Sequence, residues 1–145
     1  MIKSSDIITK LKTLTPDTLP FVGGAAAFAA AVDQLKVSGS AFVMPSQHIP
    51  TADRGLTGVI SQKVSQKFMV MLGFTRAGAT GADRVNLIED TEQAVIGELL
   101  GWQPEGIVKP VTYAGGKLVG INVQQGIIFW GSEFTADYYL REGIS

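Results

Sequence analysis

Residues 59–75 read VISQKVSQKFMVMLGFT, and the reading of this stretch decides the fold. One set of alternate positions is Ile60, Gln62, Val64, Gln66, Phe68, Val70, Leu72 and Phe74. The other is Val59, Ser61, Lys63, Ser65, Lys67, Met69, Met71 and Gly73. Period-2 alternation sends successive side chains to opposite faces, so the stretch is expected to be a β-strand. At about 3.3 Å per residue it would run roughly 50 Å or more, well beyond the usual strand. A small domain rarely pairs such a length by itself. The first half, with two glutamines on the inner face, is therefore expected to project past the core.

Working outward, residues 46–58 hold little hydrophobicity, with Pro45 and Pro50 at and near their start. They read as an extended loop or arm after a short strand at 40–44. Upstream, Ile7, Ile8, Leu11 and Leu14 have helical spacing, with Ser5 or Asp6 as N-cap and Thr15-Pro16 as the stop. A short apolar strand at 19–22 and an alanine-rich helix at 25–35 follow. Downstream, residues 83–100 form the strongest helix: Val85, Ile88, Val95, Ile96 and Leu99 make a stripe, and Glu89, Glu92 and Glu98 lie mostly off it. Gly101 is placed for a left-handed helix end, with Trp102 folding back onto the last turn as a buried aromatic. The remainder is strand-like. Ala114-Gly115-Gly116 reads as a hairpin turn between strands at 110–113 and 117–123, and Gln124-Gln125-Gly126 as a second turn. Strands at 127–130 and 133–141 close the chain. The plan is one α+β domain over residues 1–145: a mostly antiparallel sheet, helices packed on it, and a long strand and arm extending from the core.

The 145 residues are 46% hydrophobic and 17% charged, with net charge −1. That suffices for a core and leaves apolar surface for a partner to cover. A near-neutral chain lacks the broad basic field of a nucleic-acid binder. No basic amphipathic helix suggests a membrane surface, and the start of the chain has no signal-peptide core. The chain has no cysteine, which excludes thiol catalysis and disulfides.

Catalytic motifs are missing where they would be expected. The glycines at 78 and 81 are followed by Ala82-Asp83, not by the Lys-Ser/Thr of a phosphate loop. His48 is the single histidine and has no cysteine or second histidine for zinc. Glu89, Asp90 and Glu92 sit among polar residues and read as a solvated helix face. Trp130, Phe134, Tyr138 and Tyr139 read as core aromatics, with a share at a subunit contact. No cofactor or metal ligand set is expected.

The order of landmarks carries more. Phe21-Val22 is followed by Ala41-Phe42-Val43-Met44-Pro45, the long alternating strand, then Leu99-Leu100-Gly101-Trp102-Gln103-Pro104 at a helix end. Then come Tyr113 with Gly115-Gly116-Lys117-Leu118, Phe129-Trp130, and Tyr138-Tyr139-Leu140-Arg141. Over almost the whole chain this resembles the tail terminator proteins of tailed bacteriophages, particularly the small ones of Mu-like or contractile-tailed phages and prophages. The resemblance implies a virion structural protein, assembled in the host cytoplasm, without catalytic residues. It implies a ring, typically a homo-hexamer, that caps the head-proximal end of the tail tube, ends its polymerisation and offers a surface for joining the head. Its partners would be its own copies, the tube protein, and the sheath and neck or head-completion proteins, with DNA only passing through the channel. Another neck component, such as a head-closure or adaptor protein, and an enzyme without a familiar motif are the alternatives. Candidate subunit or tube contacts are Gln47, His48, Arg54, Val59, Ser61, Gln62 and Arg76. Lys63 and Lys67 share a face and are candidates to line the channel; an ordinary solvated strand face explains them equally well.

Overall fold

The structure, a computed structural model, describes residues 1–15, 17–51, 60–75 and 81–142; of residues 81–85 and 142 it describes the backbone alone. Its elements in chain order are α1 (Ser4–Leu11), a 3-10 turn (Lys12–Leu14), β1 (Val22–Gly23), α2 (Ala25–Ala31), β2 (Ser40–Pro50), β3 (Ile60–Thr75), α3 (Gly81–Leu99), β4 (Ile107–Asn122) and β5 (Ile127–Glu142). The strands form one sheet in the order β1-β2-β3-β5-β4. The two-residue β1 runs parallel to β2, and all other neighbours are antiparallel. This is the expected α+β architecture.

β3 is the middle of the sheet, and its alternation sorts the molecule into two unlike faces. Val64, Phe68, Val70, Leu72 and Phe74 point to one face and are almost fully buried. They meet Ile7 and Leu11 of α1, Val95 and Leu99 of α3, and Phe134 and Tyr138 of β5 in the main core. The other face carries a smaller cluster: Met71 with Phe42, Ile127, Phe129 and Ala31, roofed by α2. Phe28 of α2 meets Phe129 edge-on at 5.1 Å and tilts against Phe42 at 5.6 Å. Because α2 is seven residues long, it covers only one end of that face. Along the rest, Lys63, Ser65, Lys67 and Met69 are half-buried between sheet and solvent.

Several expectations are corrected. β3 does not lack partners in its first half: it pairs with β5 over all sixteen residues, from Ile60↔Glu142 to Thr75↔Ile127. Residues 60–63 and 139–142 do run past Val64, the last buried position of β3, as a two-stranded ribbon with Ile60 and Leu140 about half exposed. Of the expected loop at 46–58, residues 46–50 are strand, paired with β3 through His48↔Gln66 to Pro50↔Val64; residues 52–58 lie outside the described residues. β2 passes through Pro45 with a register shift between Pro45 and Gln47. β1 covers it only at Ala41 and Phe42, so beyond them β2 is an edge strand, where a missing N–H costs no ladder bond. Nor is Ala114-Gly115-Gly116 a turn. β4 runs straight through it, pairing with β5 on both sides, and Gly115 takes φ +128° at a register shift between Tyr113 and Gly115. A glycine pair in a strand that keeps one partner makes a bulge, whereas a hairpin would reverse the chain. The last two expected strands are likewise one, β5.

Other expectations hold. Gly101 ends α3 with φ +81°, and the Trp102 N–H donates to the Leu99 carbonyl at 3.1 Å. The Trp102 ring is half-buried at the edge of the core, not enclosed, with the Lys10 ammonium 5.8 Å from its centre.

Gln66 lies in the buried face of β3, 4% exposed. Its amide donates to the Ile2 carbonyl at 2.7 Å and accepts from the Ile2 N–H at 2.9 Å, so the start of the chain adds a strand-like contact over the core. Replacing Gln66 with alanine is expected to cost about 2 kcal/mol, from two buried backbone groups left without partners. Urea unfolding measures that loss, and amide exchange should show Ile2 losing protection before the sheet does.

Candidate functional site

The register of β3 with its neighbours fixes where the nominated residues lie. Gln47↔Lys67↔Thr135 and Lys63↔Tyr139 are cross-strand neighbours on the face that α2 leaves bare, and Ser61↔Arg141 continues the row. His48↔Gln66 and Gln62↔Leu140 belong to the opposite face. The structure thus brings Gln47, Ser61, Lys63 and Lys67 together and sets His48 and Gln62 apart from them. Arg54, Val59 and Arg76 lie outside the described residues.

His48 and Gln62 have structural tasks. His48 Nδ1 is 3.0 Å from the Tyr138 hydroxyl, giving that nearly buried phenol a polar partner at the rim of the core. Gln62 Nε2 donates to the Thr51 carbonyl at 2.6 Å. Thr51 donates its N–H and its hydroxyl to the Lys63 carbonyl at 2.8 and 3.0 Å. Together they tie the end of β2 to β3.

The bare face is polar and unequal in charge. By register it holds Lys63, Lys67, Lys109, Lys117 and Arg141 against Glu133 and Asp137. Lys67 reaches Glu133 at 3.7 Å, and Asp137 accepts from Ser65 Oγ at 2.8 Å while 7% exposed. The Thr112 and Thr135 hydroxyls join at 2.9 Å, and the Arg141 guanidinium stands 5.1 Å above the Tyr139 ring. Lys63 and Lys67 are four residues apart on one strand, about 13 Å, and point the same way. This face is cationic although the whole chain has net charge −1.

Glu92 is the polar centre that the sequence reading missed. It leans onto β4 and β5, where its Oε2 accepts from Trp130 Nε1 at 2.6 Å, Ser132 Oγ at 2.7 Å and the Tyr113 hydroxyl at 3.0 Å. The expectation of a solvated carboxylate is corrected for this residue. The signal was present: Glu92 stands four residues after Ile88 and three before Val95, within the buried stripe of α3. Gly116 passes directly over the cluster. A Cβ there would collide with Glu92 Oε2 and approach the Tyr113 hydroxyl to 2.6 Å and Trp130 Nε1 to 2.8 Å. One carboxylate oxygen shared by three donors holds a helix to a sheet; its lone pairs are committed. Among the described residues, no three His, Asp or Glu side chains gather as metal ligands would. No helix among them is long and apolar enough to cross a membrane.

Compared with known families, the chain matches over residues 1–145 the model of the family described as phage tail terminator protein. No curated protein matches it.

Two measurements test the Glu92 cluster. Glu92→Ala should cost about 3 kcal/mol, because it strands three donors. Glu98→Ala, which removes a surface ion pair to Lys10 at 3.5 Å, should cost less than about 1 kcal/mol. Burial first, and then the hydrogen bond to Glu92 and its charge, push the Tyr113 pKa above the ordinary tyrosine value. Stability from this group is therefore intact below pH of about 10 and is lost as the pH rises through the raised native value. Tyr113→Phe should remove that component from the alkaline limb of a chemical-denaturation profile.

Proposed function

The chain belongs to the phage tail terminator family, and from that premise we propose that it forms a ring of identical copies on the head-proximal end of the tail tube. The ring, taken as a hexamer, stops further addition of tube subunits and presents the surface on which the head is joined. In a contractile tail it also meets the last layer of sheath. The observation that carries this reading is the family match along the entire chain. The family is one of structural proteins, and a phage tail component resides in the virion.

The fold suits the task. One sheet face is closed by α1 and α3, and the other is left half bare with a surplus of cations. In this reading Lys63 and Lys67 look into the channel, where a cationic wall would meet the phosphate backbone of passing DNA. Gln47 and Ser61 flank them at the contact with the tube or the next subunit. The ribbon at 60–63 and 139–142 serves a subunit or tube contact, to which Val59 is also assigned, and Arg54 and Arg76 are assigned to cross-subunit ion pairs.

The direct test adds purified protein to polymerising tail tubes and follows their lengths by electron microscopy. Elongation should stop, with extra density at one end; tubes that continue to grow overturn the reading. Lys63→Glu combined with Lys67→Glu should leave capping intact and lower stability by no more than about 2 kcal/mol, since it replaces the exposed Lys67–Glu133 pair with a like-charge contact. Infectious titre should fall if these side chains face the channel, and an unchanged titre removes them from it.

A further inference from the structure

The composition of the chain gives no broad basic field, yet the fold gathers a local one. By register, the face that α2 leaves bare carries Lys63, Lys67, Lys109, Lys117 and Arg141 with Glu133 and Asp137. Five cations less two carboxylates make this face +3, and a chain of net charge −1 then sums to −4 over everything else. Both carboxylates are already engaged, Glu133 with Lys67 at 3.7 Å and Asp137 with Ser65 Oγ at 2.8 Å. Among the described residues, Lys63, Lys109, Lys117 and Arg141 form no ion pair. Four like charges held on one face without internal partners raise its potential, and such a potential draws an anionic partner.

The layout of the cations decides between anions. Lys63 and Lys67 stand on β3 and Lys109 and Lys117 on β4, with β5 between them. Strands about 4.8 Å apart put the two rows roughly 10 Å from each other. Measured along β5, the field runs from Gly131, the partner of Lys117, to Arg141, or about 33 Å. It therefore covers an area and not a line, whereas an extended acidic peptide follows a line. Between the rows stand the joined hydroxyls of Thr112 and Thr135 at 2.9 Å, and beside them the Tyr139 ring under the Arg141 guanidinium. Lysine, arginine, threonine and tyrosine are side chains that contact the phosphates and sugars of DNA. Double-stranded DNA carries one negative charge per about 1.7 Å of its axis, so it can meet a cation field of this extent at any point along its length. Contact through phosphates alone carries no sequence information.

We propose that this face binds double-stranded DNA through its phosphates, without regard to sequence, and holds the DNA instead of only bounding its path. The proposal rests on the reading that Lys63 and Lys67 look into the channel, and deepens it: Lys109, Lys117 and Arg141 join them, and the wall acts as an electrostatic brake. One copy makes few contacts and binds weakly. Copies in a ring act on the same duplex, so weak single contacts add up to retention.

The test titrates the parent chain into a fluorescein-labelled duplex and follows anisotropy across a salt series. If the four cations outside ion pairs each neutralise one phosphate, log K falls against log salt with a slope of about −3.6, and binding weakens roughly a hundredfold between about 50 and 200 mM salt. Duplexes of unrelated sequence should bind alike. Lys109→Gln, Lys117→Gln and Arg141→Gln combined should bind about tenfold or more weakly and bring the slope to about −1. All three side chains are exposed, and thermal melts matching the parent establish folding; Lys109→Gln with Lys117→Gln takes over if the triple variant melts early. Lys3→Gln, Lys12→Gln and Lys36→Gln combined removes the same charge from outside the face and should bind nearly as the parent does.

A parent that leaves the duplex unbound at the lowest salt overturns the proposal. So does an equal loss in the two triple variants, which assigns the effect to total charge. Binding of a polyglutamate peptide in preference to duplex makes the occupant an acidic protein segment and overturns it too. Tube capping is scored separately. A parent that caps tubes and ignores DNA removes this proposal alone, and one that binds DNA and never caps removes the terminator reading alone.

Discussion

The sixteen-residue ladder between β3 and β5 is the constraint on which the rest of the structure depends. Side chains along a strand alternate strictly, so a slip of one residue would turn Phe68, Val70, Leu72 and Phe74 away from α1 and α3 and bring Lys63 and Lys67 beneath them. The cost of burying those ammonium groups without partners makes the register effectively unique. Length adds to this. Phe68 stacks on Phe134 at 5.5 Å, and farther along the same ladder Ser65 bonds Asp137 and Lys67 meets Glu133. Cross-strand pairs of this kind each contribute a fraction of a kcal/mol up to about 1 kcal/mol, and all of them require the same alignment.

From that alignment follow two faces with different work. The closed face is held from the outside by contacts at its corners. Gln66 takes the backbone of Ile2, His48 meets the hydroxyl of Tyr138, and Glu92 collects three donors from β4 and β5. These groups satisfy polar atoms that a layered fold would otherwise leave stranded at the rim of its core. The other face is finished at one end by α2 and left polar elsewhere. A protein that acts through its surfaces has no need of a deep cavity, and here the surfaces are set by which strand ends where. The long strands β3, β4 and β5 carry the cations of the bare face, while the short β1 leaves a mostly apolar pocket beside α2.

Much of this was legible from local pattern. The alternation at 59–75, the α3 stripe of Ile88, Val95 and Leu99, the turn at Gln124-Gln125-Gly126 and the left-handed Gly101 each announce their structure within a few residues. What misled was punctuation. Pro45, Pro50 and the Gly115-Gly116 pair break a chain read one residue at a time, yet each lies inside a strand. Proline is tolerated where a strand has an open edge, and glycine forms a bulge where both flanks keep the same partner. Both conditions depend on neighbours distant in sequence. Glu92 was misjudged in the opposite way, since its charge outweighed its position in the buried stripe.

The amino-acid sequence by itself determined which side chains share a face, because strand and helix periods are properties of the backbone and need no partner. It also bounded the chemistry, since a chain without cysteine can form no disulfide and use no thiol. The pairing order β1-β2-β3-β5-β4 was decided only by tertiary structure, and with it the open edges, the bare face and the convergence of Trp130, Ser132 and Tyr113 on one carboxylate oxygen. Those outcomes depend on contacts between residues about 20 to 40 positions apart or more, and such contacts form only when the whole sheet closes.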